Sequence, residues 1–281
     1  IIPLAAQNLA QLMAMNLICN SVLLATGLLL ARADEAETGT CSASGACPSD
    51  SWPTLAEPVN YIPGGTEASI DNLPIYYVGK PGPKAVIVLP EVFGWAGRLK
   101  GVCDTLAAEG FFVVMPDCHR KETIQTVPDF FKAYPYDTVV GPDFDRLMTW
   151  LGEKGATSIG AVGHCWGAWA LSKASASGVP LKCGVGLHPS TKIEAMVGGS
   201  EVEMMKQVRM PLLFMPAGND PDTLKEGGEI ASIIAEKGGA SVEFPDMQHG
   251  WTTRGDVSDS AVKRDVERAM QKTLAFLREY L

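Results

Sequence analysis

Five short, continuous apolar runs recur along the chain and constrain its fold more than any other feature. They are AVIVLP (85–90), FFVVMP (111–116), SIGAVG (158–163), CGVGLH (183–188) and PLLFMP (211–216). Runs without polar alternation are typical of strands that a parallel sheet buries on both faces. LPIYYVG (73–79) predicts an edge strand before them, and SVEFPD (241–246) predicts a last strand after them.

Segments with helical spacing lie between these runs. Residues 97–110 and 166–178 each end in glycine, as helices often do. From about Asp256 the tail places apolar residues on one helical stripe, namely Val262, Val266, Ala269, Leu274 and Leu277. This alternation predicts an α/β fold, a mostly parallel sheet with helices on both faces, over residues 64–281.

The start of the chain has a different composition. The first 31 residues carry no charged side chain, and Leu17–Leu30 forms an apolar run that is short for a bilayer span. Ala31 and Ala33 fit a cleavage site, so residues 1–33 predict a signal peptide and secretion. An uncleaved membrane anchor, an organellar presequence or a cytoplasmic protein are the alternatives. Residues 34–63 predict a polar linker, in which Cys41 and Cys47 form a disulfide or stay free thiols.

Charge and motif content narrow the class of ligand. The formal net charge is −9, and no stripe of lysine and arginine occurs. This argues against nucleic acid or a specific membrane lipid as partner. The histidines and cysteines lack metal-ligand spacing and no phosphate-binding glycine loop is present, so we expect no metal and no cofactor. We expect a small-molecule substrate and a monomer or weak homo-oligomer.

Polar residues follow several of the predicted strands. Glu91 follows AVIVLP, Cys165 follows SIGAVG, Asp220 follows PLLFMP, and His249 follows SVEFPD. The carboxyl ends of parallel strands meet at one edge of a sheet, which is where such folds bind ligands. The order Cys, Asp, His along the chain is that of the α/β-hydrolase fold. These four residues, far apart in the sequence, therefore predict a single catalytic centre.

The stretch from Gly163 to Gly167 reads as a nucleophile elbow in which Cys165 replaces serine. Glycines are needed there because the sharp turn leaves no space for a Cβ. The start of the following helix favours thiolate over thiol at Cys165. His249 would act as general base and acid, and Asp220 would orient it.

The chain resembles the dienelactone hydrolase, or carboxymethylenebutenolidase-like, family. The resemblance runs through VIVLPEVFGW, GRLKGVCDTLAAEGFFVVMPD, IGAVGHCWGAWA, AGNDPD and DMQHGW. It implies hydrolysis of small lactones or esters through an acyl-thioester on Cys165. It also implies that Glu91 holds the resting thiol and accepts its proton, and that the backbone N–H groups of Val92 and Trp166 form the oxyanion hole.

The expected substrate pocket takes in Trp95, His119, Trp251 and Arg254. Arg254 lies one residue beyond the position of a family arginine, and a second arginine segment has no clear counterpart, so dienelactone itself is in doubt as substrate. The aromatic residues between Phe130 and Tyr136 form either a lid or a helical cap over the sheet. Two rival functions stay open: a non-enzymatic small-molecule-binding protein, and a thiol redox protein that pairs Cys165 with Cys118.

Overall fold

The structure is a computed structural model that describes residues 61–122 and 127–281, with only the backbone given at 127 and 128. The predicted leader (1–33), the linker up to residue 60 and the Cys41–Cys47 pair lie outside the described residues. Within the described ranges, no helix combines the length and apolar character needed to cross a membrane.

One sheet of eight strands organises the described part of the chain. The strands are β1 (Thr66–Ile70), β2 (Leu73–Val78), β3 (Lys84–Leu89), β4 (Phe112–Pro116), β5 (Ser158–His164), β6 (Gly184–Leu187), β7 (Leu212–Met215) and β8 (Ala240–Ser241). Their order across the sheet is β1-β2-β4-β3-β5-β6-β7-β8. The two pairings that involve β2 are antiparallel, and all the others are parallel.

Helices connect these strands. They are α1 (Leu99–Ala108), α2 (Val127–Ala133), α3 (Gly141–Glu153), α4 (Trp166–Ala176), α5 (Ile193–Met196), α6 (Glu201–Gln207), α7 (Glu229–Glu236), α8 (Trp251–Arg254) and α9 (Ser260–Tyr280). A π-helical turn (Tyr136–Val140) precedes α3, and a 3₁₀ turn (Asp222–Leu224) follows β7. The predicted helices at 97–110, at 166–178 and in the tail are α1, α4 and α9.

The sheet is buried on both faces, as its apolar runs predict. Along β3, Ile87 and Leu89 belong to one hydrophobic core, and Val86 and Val88 belong to the other. The first core is covered by α3 and α4, and the second by α1 and α9. Because side chains alternate along a strand, a run without polar residues fills both cores at once. The predicted α/β fold is confirmed.

The prediction that residues 73–79 form an edge strand is wrong, because β2 lies between β1 and β4. The two strands at the ends of the sheet also differ from the prediction. The residues of β1 are almost all exposed, so no apolar pattern marks this edge strand. At the other edge β8 shares only Ser241 with the predicted segment 241–246. Beyond it, Phe244 forms a single bridge to Ala217. The next residue, Pro245, has no N–H to donate to a ladder, which limits pairing there.

Candidate active site

Five neighbouring parallel strands end at the same edge of the sheet, in the order β3, β5, β6, β7, β8. Glu91 lies two residues after β3, and Cys165 directly follows β5. Asp220 lies in the loop after β7, and His249 lies in the loop that precedes α8. The structure therefore brings chemically active side chains from separate parts of the sequence to the predicted edge.

Cys165 sits on a sharp turn between β5 and α4. Its backbone has φ 53° and ψ −111°, a conformation that costs a non-glycine residue energy. A Cβ at Gly163 would overlap the backbone of Gly167, and a Cβ at Gly167 would overlap the Leu89 carbonyl. The turn is thus possible only because both flanking residues are glycine.

His249 is held by two side chains from the loop after β7. Its Nδ1 lies 2.5 Å from Asp220 Oδ1, and its backbone N–H donates to Asn219 Oδ1 at 2.7 Å. The second oxygen of Asp220 accepts a 2.7 Å hydrogen bond from the Ala217 N–H. Because both carboxylate oxygens are committed, Asp220 fixes the ring of His249 in one orientation with a proton on Nδ1.

The electrostatic surroundings of His249 favour its protonated form. Burial lowers the pKa of this imidazole, but the Asp220 carboxylate and the Cys165 sulfur, which both lie within interaction range, together raise it well above its ordinary value. A protonated His249 between a carboxylate and a sulfur is the arrangement expected of an imidazolium–thiolate pair.

Glu91 lies in a buried ion pair. The side chains of Glu91 and Arg254 are 2% and 5% exposed, and Arg254 Nε donates to Glu91 Oε2 at 3.0 Å. The Thr253 hydroxyl donates to the other oxygen, Oε1. Arg254, expected in the substrate pocket, thus binds Glu91. The described part of the structure shows Ser190, not Glu91, in contact with the Cys165 sulfur, with its Oγ 3.4 Å from Sγ.

The two residues expected to form the oxyanion hole, Trp166 and Val92, lie in different structural surroundings. Trp166 is the first residue of α4, where a backbone N–H has no acceptor within the helix. Its ring is fully buried between Phe130 and Trp169. The carbonyl of Val92 contacts Nε2 of His119. His119, which we expected in the substrate pocket, is itself buried, and this contact holds the Val92 loop.

Two tryptophans expected in the pocket lie elsewhere. Trp251 is 2% exposed and packs against Phe244 in the second core, with the ring centroids 4.6 Å apart and the rings tilted by 35°. Trp95 lines a different cavity of about 620 Å³, whose walls include residues of α1 and α9. None of Glu91, Cys165, Asp220 and His249 lines that cavity.

The aromatic residues of 130–136 pack against α4. Phe130 and Tyr134 are buried, and the rings of Phe131 and Tyr136 lie 6.4 Å and 5.9 Å from that of Trp169. Cys118 is also buried in this core, and burial raises the pKa of its thiol. Cys103, Cys118, Cys165 and Cys183 are free thiols. A buried thiol with a raised pKa is a poor partner for the redox chemistry that was the rival hypothesis.

Sequence reasoning missed several residues at this edge. Ser190 follows β6 and Thr253 lies in α8, and neither belonged to a predicted constellation. His188 directly follows β6: its ring lies 5.0 Å from that of His249, and its Nε2 contacts Thr252 Oγ1 at 2.7 Å. The rule that located Cys165 also applied to the end of CGVGLHPS and would have found Ser190. In the described residues no cluster of three or more His, Cys, Asp or Glu side chains is suited to hold a metal ion.

Comparison with known proteins identifies the family. The dienelactone hydrolase family model matches residues 73–281. The chain belongs to the dienelactone hydrolase family. A protein of Escherichia coli K12, provisionally assigned as a carboxymethylenebutenolidase, is 24% identical over 228 residues, which cover 75% of this chain and 83% of that protein. The rat carboxymethylenebutenolidase homolog is 23% identical over 251 residues, covering 84% and 97% respectively.

A solved structure supports the same fold. A provisionally assigned dienelactone hydrolase from Klebsiella pneumoniae superposes with a TM-score of 0.60 at 19% identity, covering 77% of this chain and 98% of that one. As a member of this family, the protein is a hydrolase of esters or lactones that acts on a small-molecule substrate. Family membership thus excludes the purely binding role that was the other rival hypothesis.

Proposed function

We propose that this hydrolase cleaves small carboxylic esters or lactones by nucleophilic attack of the Cys165 thiolate. The observation that carries the proposal is the place of His249 between Asp220, at 2.5 Å, and the Cys165 sulfur. The strained turn at Cys165 supports it, because backbone strain of this kind is concentrated at reacting residues. Asp220 and His249 then have the roles of orienting acid and proton carrier.

The reaction proceeds in two halves. The thiolate attacks the carbonyl carbon, a C–S bond forms, and the carbonyl oxygen takes the negative charge. As the intermediate collapses, the C–O bond to the leaving group breaks, and His249 gives its proton to the departing alkoxide. Water then attacks the thioester and loses a proton to His249, and the thiolate departs. The net change is ester plus water to carboxylic acid plus alcohol, and a lactone gives the hydroxy acid.

Backbone N–H groups stabilise the negative charge on the carbonyl oxygen of the intermediate. The N–H of Trp166 points out of the first turn of α4, whose dipole also favours negative charge. We assign the N–H of Val92 as the second donor, on a loop that the His119 contact holds in place. Preorganised donors of this kind commonly contribute about 3 kcal/mol to the barrier reduction.

The test is a hydrolysis assay with a panel of aryl esters and lactones. We expect Cys165→Ala to abolish turnover, and we expect mass spectrometry of the wild type with p-nitrophenyl acetate to find an acetyl group on the Cys165 peptide. Cys183→Ala is the matched control, because Cys183 is a buried free thiol in the second core. Full activity in Cys165→Ala would exclude the thiolate mechanism.

The Cys165→Ser variant changes the chemical nature of the nucleophile and keeps its position on the turn. A serine hydroxyl is a far weaker acid than a thiol, so it must lose its proton as it attacks and needs a stronger base than a thiol does. We expect Cys165→Ser to retain little activity on aryl acetates. Turnover equal to the wild type would contradict the dependence on a thiolate.

A further inference from the structure

The last residue of β6 and the segment after it hold Cys165 at three points. The Cys165 N–H donates to the Leu187 carbonyl at 3.0 Å, and the Cys165 carbonyl accepts from the Ser190 N–H at 3.1 Å. The third contact joins the side chains, since Ser190 Oγ lies 3.4 Å from Cys165 Sγ. Two contacts thus support the strained backbone of the turn, and the third reaches the reacting atom itself.

The chemistry of the two side chains decides the direction of this third contact. Ser190 is 7% exposed, so few water molecules compete for its hydroxyl. A thiolate has no proton, so towards a thiolate the hydroxyl is the donor. A hydrogen bond to a charged acceptor is stronger than one between neutral groups. The contact therefore stabilises the thiolate more than the thiol.

We propose that Ser190 is a catalytic residue of this hydrolase, whose hydroxyl donates a hydrogen bond to the Cys165 thiolate. The same bond stabilises the sulfur before it attacks the carbonyl and when it departs from the thioester. The inference rests on the proposed function, in which Cys165 is the nucleophile.

The other groups around the Cys165 sulfur do not take the place of the Ser190 hydroxyl. The charged and titratable groups at the surrounding strand ends are Glu91 with Arg254, Asp220, His249, His188 and His164. Glu91 is bound by Arg254 and Thr253, and Asp220 is bound by His249. His188 is neutral, because burial and the neighbouring His249, His164 and Arg254 lower its pKa well below the ordinary value. Apart from His249, Ser190 is thus the side chain that contacts the Cys165 sulfur and can donate a hydrogen bond to it.

The hydrogen bond has two opposing effects on reactivity. It stabilises the thiolate relative to the thiol, which increases the thiolate fraction, but it also makes each thiolate less nucleophilic. Loss of one hydrogen bond to a charged group should lower the ratio of thiolate to thiol by about tenfold. With a Brønsted coefficient near 0.4–0.5, alkylation should become about threefold slower at acidic pH, where the thiol predominates, and about threefold faster on the alkaline plateau, where the sulfur is fully thiolate. The two pH profiles should therefore cross.

The experiment compares Ser190→Thr with Ser190→Val in the full-length chain. These two side chains have nearly the same shape, and only threonine has the hydroxyl. The rate of Cys165 alkylation by iodoacetamide is measured across pH by mass spectrometry of the Cys165 peptide, which separates it from the other cysteines. Ser190→Ala gives a second variant without the hydroxyl. Ser172→Ala is the control, because the buried Ser172 hydroxyl bonds the Ala168 carbonyl, away from the sulfur.

We expect the wild type, Ser190→Thr and Ser172→Ala to share one profile, and Ser190→Val and Ser190→Ala to share the shifted, crossing profile. A profile in Ser190→Val and Ser190→Ala that coincides with that of the wild type would overturn the proposal. So would a rate lowered by the same factor at every pH, which is what a merely structural role predicts.

Hydrolysis of p-nitrophenyl acetate distinguishes a failure of the Ser190 proposal from a failure of the proposed function on which it rests. If Cys165→Ala is as active as the wild type, Cys165 is not the nucleophile and the role of Ser190 falls with it. If Cys165→Ala is inactive while Ser190→Val and Ser190→Ala keep the wild-type alkylation profile, only the role of Ser190 is refuted. Inactive Cys165→Ala together with crossing profiles supports both.

Discussion

Replacement of His164 should make the protein less sensitive to acid. His164 is the last residue of β5, directly before Cys165, and its side chain is completely buried. Desolvation lowers its pKa to about 4, although a contact with the Leu89 backbone acts in the opposite direction. His164 thus stays neutral in the folded protein at pH values where it is protonated in the unfolded chain.

The sign and size of the effect follow from linkage. Between the unfolded pKa of 6.5 and the folded pKa of about 4, the unfolded state binds more protons, so the free energy of unfolding decreases as the pH falls. The full gap of about 2.5 units corresponds to about 3.4 kcal/mol at 1.36 kcal/mol per unit. At pH 5 about 2 kcal/mol of this is already lost, out of a total stability of roughly 5–15 kcal/mol for a typical domain.

Urea unfolding at pH 7.5 and pH 5 measures this loss. Both His164→Leu and His164→Gln lack the titrating group but differ in packing, so their absolute stabilities will differ. In each variant the decrease between the two pH values should be about 2 kcal/mol smaller than in the wild type. An equal decrease in all three proteins would refute the reasoning. The outcome also matters for enzymology, because activity lost below pH 6 would then reflect unfolding around Cys165 as well as titration of the site.

Two further predictions concern the charged partners of the site. Asp220→Asn should lower kcat by roughly 10³–10⁴-fold with little change in thermal stability, because an amide no longer fixes the tautomer of His249; a loss below tenfold would contradict the orienting role. Glu91→Gln should destabilise the fold by about 3 kcal/mol in urea unfolding, because Arg254 loses its buried counter-charge. The double variant Glu91→Gln/Arg254→Met should recover part of that loss, and no recovery would argue against an ion-pair origin.

The central strands of the sheet could be predicted well because the protein buries them on both faces. Four of the five apolar runs supply side chains to both hydrophobic cores, and in the fifth, CGVGLH, the first core packs against Gly184 and Gly186. Runs without polar residues leave a plain pattern in the sequence. The edge strands carry no such pattern. In β1 nearly every residue is exposed, and β8 is two residues long. Their pairing depends on neighbouring strands that a local pattern does not reveal.

The candidate site could be predicted only where backbone topology positions a residue. Cys165, Asp220 and His249 follow strands, so parallel order alone brings them to one edge. Side-chain direction is set by packing between distant segments, and the pocket residues show this. Trp251 packs against Phe244 in the core, and His119 contacts the Val92 carbonyl. The strand-end rule places Ser190 at this edge, but its contact with the Cys165 sulfur depends on how the chain turns after β6.

The Glu91–Arg254 pair limits the role that family resemblance implies for Glu91. To accept the thiol proton, the carboxylate would have to leave Arg254 and Thr253, and a buried charge that loses its partner costs about 3–5 kcal/mol. Glu91 can therefore serve only if another anion, such as a carboxylate on the substrate, replaces it at Arg254. Ser190 needs no such exchange, because it already touches the sulfur and is neutral. Neutral esters that acylate Cys165 as fast as matched anionic esters would favour Ser190 and His249, whereas a strong preference for anionic esters, lost in Glu91→Gln, would favour Glu91.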